Sequence, residues 1–135
     1  MAGKTQRLEI VTPERKVYSE DVEFVVVPGS EGEMGFLPGH SPLASSLKIG
    51  ALRVTKDSGG KPLRIAITGG FVEVMDSRVT VLTSAAERED EIDKKRAEAA
   101  KQRAEQRLAA KAADLDVVRA ELALKRALNR LKLFE

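Results

Sequence analysis

The sequence contains no cysteine, and among its 135 residues there is a single histidine, His40. Without cysteine there is no disulfide, no thiolate metal site and no cysteine nucleophile, and one histidine cannot build a multi-histidine centre. Charge of one sign is not in excess either. The 23 basic and 21 acidic residues leave a formal charge of +2, so no global basic field points to nucleic acid. Aromatics are scarce, and none lies between Phe71 and Phe134, so bases have nothing to stack on in the most charged part of the chain. The longest uncharged run, Met34 to Leu47, is too short to cross a bilayer and contains glycine, proline and serine. The start, Met1-Ala2-Gly3-Lys4, has neither the apolar core of a signal peptide nor the Arg/Ser-rich character of a transit peptide. These absences read as a soluble, cytoplasm-facing protein.

A further absence divides the chain. All 10 glycines and all 5 prolines lie at or before Gly70. Residues 1–84 hold 10 basic and 10 acidic groups, whereas residues 85–135 hold the remaining 13 and 11, so charge density doubles where the turn formers stop. The composition predicts two domains, 1–85 and 86–135. In the first, β-branched runs such as Leu8–Val11, Glu23–Val27, Leu52–Thr55, Leu63–Ile67, Phe71–Val74 and Val79–Leu82 alternate with turn signals. This pattern predicts an antiparallel sandwich or barrel. In the second, Ala, Glu, Lys, Arg, Gln and Leu dominate, and apolar residues recur at three and four (Ala97, Ala100, Ala104, Leu108; then Leu124, Leu128, Leu131). That predicts a helical hairpin, with Asp114 or Asp116 capping the second helix. The turn region Ala110–Asp116 contains neither Gly nor Pro, so one continuous helix is equally compatible with it. Alanine-rich faces bury little area and dock weakly, which favours an element that exists folded or extended.

No catalytic centre emerges. Gly3-Lys4-Thr5 lacks the upstream glycine of a phosphate loop, and Gly29, Gly32, Gly35 and Gly39 do not form a dinucleotide fingerprint. His40 sits in a Pro/Gly turn with no nucleophile pattern around it. The segment Gly32–Leu43 reads as a long ordered loop exposing Met34, Phe36 and Leu37, either the bulged end of a hairpin or a docking surface.

The helices repay a count of charge partners three or four residues away. Lys94, Lys95, Lys101 and Lys125 each have a carboxylate at such an offset, and Arg96 has Asp93. Arg103, Arg126 and Arg130 have none at those offsets, and Arg126 and Arg130 are a like-charge pair. Arg96 and Arg103, seven apart, share a face. Two readings follow, a solvated basic face or a polyanion site, for which guanidinium forks are well suited.

Three ordered motifs then carry a resemblance: Gly32-Glu33-Met34-Gly35-Phe36-Leu37-Pro38-Gly39-His40-Ser41-Pro42-Leu43, Gly69-Gly70-Phe71-Val72-Glu73-Val74, and Ile92-Asp93-Lys94-Lys95-Arg96-Ala97. Together with the ending Arg119–Leu131 they resemble the epsilon subunits of bacterial F-type ATP synthases over essentially the whole chain. The resemblance implies a ten-stranded β-sandwich followed by two helices, in a non-catalytic rotor subunit. It places the sandwich against the gamma subunit and the c-ring, with Glu33, Phe36 and His40 on the docking loop and Glu33 as the c-ring contact. It implies helices that either fold or extend toward the alpha/beta catalytic head and block rotation in the hydrolysis direction. It also implies ATP as a regulatory ligand, bound without hydrolysis. The family pattern Ile/Leu-Asp-x-x-Arg-Ala is met by Ile92, Asp93, Arg96 and Ala97, with further contacts matching Glu87, Arg103, Arg126 and Arg130. No other cofactor and no nucleic acid are implied. The protein is expected at the cell membrane, peripheral, on the cytoplasmic side, through its complex.

Overall fold

The computed structural model describes residues 4–135, so Met1, Ala2 and Gly3, including the glycine of the Gly3-Lys4-Thr5 run, lie outside the described residues. Two compact units divide at Arg88/Glu89.

The first unit is built from eight strands: β1 (Gln6–Val11), β2 (Lys16–Val22), β3 (Phe24–Gly29), β4 (Gly32–Phe36), β5 (Leu43–Thr55), β6 (Leu63–Met75), β7 (Arg78–Leu82) and β8 (Ala86–Arg88). Hydrogen bonding follows the order β2-β1-β7-β6-β5-β3-β4, with β8 attached to β6. The long β5–β6 hairpin organises the unit. Along one stretch of β6, Ile65–Ile67 pair with β8, and beyond Gly69–Gly70, Phe71–Met75 pair with β7. The strand therefore changes partner at the double glycine. Gly70 has φ +127°, and a Cβ there would collide with the carbonyl oxygen of Leu82, so only glycine allows that bend.

Period-two alternation fills the space enclosed. Leu8 and Ile10, Val25 and Val27, Leu52 and Val54, Ile65 and Ile67, Val72 and Val74, and Val79 and Val81 all point into one core with Phe36 and Tyr18. The β6–β7 connection is a two-residue turn in which Asp76 (φ 51°) and Ser77 (φ 55°) are both left-handed, the geometry whose twist matches the flanking strands.

Two expectations are corrected here. The strand count is eight rather than ten, because β5 and β6, 13 residues each, each run unbroken through the sandwich where a layer-by-layer count would divide them. The pairing is antiparallel except between β1 and β7, which run parallel. The first compact unit runs to Arg88, three residues past the boundary expected from composition, and β8 pairs with β6 from Ile67↔Ala86 to Ile65↔Arg88. Of the two readings of Gly32–Leu43, the hairpin end holds for its first part, since Gly32–Phe36 is β4, in antiparallel register with β3.

The second unit, Glu89–Glu135, opens with a 3-10 turn (Glu89–Glu91) and contains α1 (Lys94–Ala110) and α2 (Val117–Lys132), packed against each other. Asp93 caps α1, its Oδ1 accepting the Arg96 N–H at 3.1 Å, and Asp116 caps α2, accepting the Arg119 N–H at 3.0 Å. Of the two aspartates offered by the sequence, Asp116 is the cap. Lys111 ends α1 in the left-handed region. The buried helical residues are Ala97 and Ala104 on α1, and Ala120 and Ala127 on α2. Each pair is seven apart, so the helices meet along an alanine seam that lets their backbones approach closely.

Candidate functional site: an arginine face on the helical hairpin

Each seam alanine follows an arginine: Arg96-Ala97, Arg103-Ala104, Arg119-Ala120 and Arg126-Ala127. One residue back along a helix is a rotation of about 100°. In an antiparallel hairpin, positions displaced in the same sense from the seam on both helices emerge on the same face. Arg96, Arg103, Arg119 and Arg126 therefore line one side, joined by Arg107 and Arg130, each four residues beyond a member of that row. Members of a pair seven residues apart stand about 10 Å apart along the axis. Arg96, Arg103 and Arg119 are exposed; Arg126 and Arg130 are half-buried. Among the described residues the guanidinium groups of Arg96, Arg103 and Arg126 make no ion pair. Such a face, with guanidinium forks converging from two helices, fits an elongated polyanion.

Asp93 has a structural task in the same region. Its carboxylate caps α1, so it fixes where the helix begins and hence the register of Arg96 and Arg103. Ile92 and Ala97 are buried. Glu87 belongs to the other unit. It is half-buried in β8, in register with Ala66, and belongs to the sandwich unit, while the other seven expected ATP-site residues belong to the helical unit.

At the sandwich loop, Glu33 is exposed and ion-paired with Arg53, Oε2 to Nη1 2.9 Å. His40 is exposed, its ring edge against Phe36 at 5.0 Å between centroids and an interplanar angle of 86°. The loop is tied to the β6–β7 turn by the Gly39 N–H, which donates to Ser77 Oγ at 3.0 Å. Two of the three apolar residues expected to be exposed are not: Met34 is half-buried and packs against the core, and Phe36 is buried outright. Its side chain is 1% exposed and packs in the core, whereas its neighbour Leu37 is 61% exposed. Strand alternation is the reason: once β4 forms, residue 36 points inward. A second apolar surface was not anticipated as such. Phe71 and Leu82, cross-strand partners, are both exposed on the outer sheet face beside Val11.

Comparison with known proteins decides the family. Residues 5–89 match the model for the ATP synthase delta/epsilon chain beta-sandwich domain, and residues 90–135 match the model for its long alpha-helix domain. The chain belongs to the ATP synthase delta/epsilon family. Proteins called ATP synthase epsilon chain are similar throughout: one from Desulforamulus reducens is 58% identical over 98% of this chain and 99% of that protein. One from Bacillus licheniformis is 52% identical over 95% and 96%. A chain in the Euglena gracilis mitochondrial ATP synthase (OSCP/F1/c-ring) superposes with a TM-score of 0.82 at 27% identity, covering 100% of this chain and 84% of that one. A chain from the Tetrahymena thermophila central stalk/c-ring shares the fold, with a TM-score of 0.57 at 18% identity.

As a member of the delta/epsilon family the protein is a non-catalytic ATP synthase subunit and not itself an enzyme. Among the described residues no helix is long and apolar enough to cross a membrane. The arginine count made from charge offsets missed Arg107 and Arg119. The Arg-Ala register finds Arg119 once the seam alanines are known, and Arg107, followed by Leu108, is found by its lack of a carboxylate three or four residues away.

Proposed function

We propose that the protein is the epsilon-type rotor subunit of a proton-translocating ATP synthase, restraining ATP hydrolysis through a helical hairpin whose folded form ATP stabilises. The observation that carries the regulatory half is the arginine face on an alanine-seamed hairpin. Folding the hairpin gathers like charges, and a polyphosphate bridging them offsets that repulsion. ATP that binds only the folded form raises its population in proportion to the ligand's differential affinity. When the helices extend, the same arginines become available to acidic surfaces of the alpha/beta head. ATP is a regulatory ligand here, with no resident cofactor, and among the described residues no group of three or more His, Cys, Asp or Glu is placed to hold a metal ion.

The docking half rests on the sandwich. Glu33, Leu37 and His40 present a mixed polar and apolar loop to the c-ring, and the exposed Phe71–Leu82 face suits the gamma subunit. Membrane association then comes through the complex, on the cytoplasmic side.

ATP titration by calorimetry tests the site. A charge-assisted arginine contact contributes roughly 1.5–3 kcal/mol, so Arg126→Ala weakens binding about tenfold or more. Asp93 needs a finer pair of variants because it is also a cap. Asp93→Ser keeps the cap and removes the charge, and Asp93→Ala removes both; equal losses in the two mean that the carboxylate itself serves ATP. Unchanged affinity in both Arg103→Ala and Arg126→Ala removes ATP from this face.

A further inference from the structure

The connection between α1 and α2 turns on a residue held against its own preference. Lys111 has φ 48° and ψ 43°, a left-handed conformation that glycine ordinarily takes at a helix end because it has no Cβ to crowd the following carbonyl. Its surroundings favour something else. Ala110, Lys111, Ala112 and Ala113 are all good helix formers, and neither glycine nor proline stands between Leu108 and Asp116. The turn has few ties of its own. The Leu115 N–H donates to the Ala112 carbonyl at 3.0 Å, and Asp116 then starts α2. What the turn holds together is a seam of four alanines, which buries little area. At the free end, the Lys94 ammonium lies 5.7 Å from the ring centroid of the exposed Phe134, a modest clasp.

We propose that Lys111 sets the balance between the folded and the straight form of the hairpin, its left-handed backbone loading the folded form and relaxing when one helix runs through. The proposal rests on the reading above, that the helices exist in these two forms. In the straight form residue 111 is a helix-interior residue, where lysine is favourable and glycine is poor. In the folded form the preference reverses. Lysine at this position therefore favours opening from both sides. The consequence reaches ATP, because a ligand that binds only the folded form has its apparent affinity scaled by the folded fraction.

Lys111→Gly separates the alternatives. It favours the folded form about fivefold at the turn and disfavours the straight helix about fivefold, together about twenty-five-fold in the folded-to-straight ratio. Lys111→Asn falls between, since asparagine tolerates the left-handed region, and Lys111→Ala stays within about twofold of the parent. Spin labels at the exposed residues 95 and 132 read the ratio, because the 37 helical rises from one to the other span about 55 Å in a continuous helix. The measurement is made on the full chain, alone and in the assembled synthase without ATP, alongside ATP titration of each variant. The expected result is a long-distance population that shrinks in the order Lys, Asn, Gly, with ATP affinity rising in the same order. A parent that opens, and a Lys111→Gly variant that opens equally, overturns the role of residue 111 while leaving the two-form reading intact. A parent that stays folded both alone and in the synthase overturns the two-form reading, and this proposal with it.

Discussion

The side-chain amide of Gln6 donates to the backbone carbonyl of Phe36 at 2.6 Å, joining β1 to β4, two strands with no backbone ladder between them. The same Nε2 lies 3.5 Å from the Glu23 carbonyl. Gln6 is 2% exposed, and its Oε1 has no hydrogen-bond partner among the described residues. One buried amide thus closes the sandwich at the place where the sheet path leaves its strands unjoined. Gln6→Ala, which orphans the carbonyl and leaves a cavity, should cost about 2–3 kcal/mol. Gln6→Met, which fills the space and removes the unpartnered oxygen, should cost less. Urea unfolding followed by the fluorescence of Tyr18 checks both, with an unchanged slope and a lowered midpoint expected.

Phe36 and Leu37 are neighbours with opposite roles. Phe36→Ala should destabilise the sandwich by about 3–5 kcal/mol, the cost of a cavity in place of a core ring. Leu37→Ser should change stability by less than about 0.5 kcal/mol and should instead weaken assembly into the synthase. Thermal unfolding of each variant, paired with a reconstitution assay, distinguishes them.

Tyr18 is the single tyrosine, and there is no tryptophan, so its titration is directly visible. Burial pushes its phenol up to about 12, helped by its hydrogen bond to Glu20. The neutral phenol is therefore favoured by the native state. Its stabilising contribution is complete below about pH 10, the unfolded value, and is lost as pH rises toward about 12. Phenolate absorbance should show a native midpoint near 12 and a urea-unfolded midpoint near 10. Glu20→Gln should bring the native midpoint down without reaching the unfolded one, because burial remains.

The two aspartates before α2 are unequal. Asp116→Ala removes a cap and should cost the helical unit about 1 kcal/mol, whereas Asp114→Ala should cost less than about 0.5 kcal/mol. Helical circular dichroism through thermal unfolding of the two variants measures the difference.

Much of this architecture is legible in the chain. The loss of glycine and proline after Gly70 marks the change from sheet to helix, because turns need those residues and helices exclude them. β2, β4 and β8 were harder to read. Lys16–Val22 carries as much charge as apolar surface, Gly32–Phe36 is rich in glycine, and Ala86–Arg88 is three residues long. Each owes its strand state to a partner distant in sequence. The arginine cluster was partly legible from charge offsets. Arg119 falls outside that count because Asp116 stands three residues before it, whereas Arg107, with Arg103, Ala104, Ala110 and Lys111 at those offsets, meets the same criterion as Arg103, Arg126 and Arg130.

The sequence by itself determined the two-part organisation and the alternation that fills the sandwich core. These are local matters, settled by backbone preference and by which side chains leave water. Only the tertiary structure decided that Phe36 is inside and Leu37 outside, that β8 belongs to the sheet, that β1 runs parallel to β7, and that Lys111 turns left-handed where its neighbours would continue a helix. Those outcomes depend on a second segment being present, and pairing energies between segments far apart in sequence leave no periodicity in either one alone.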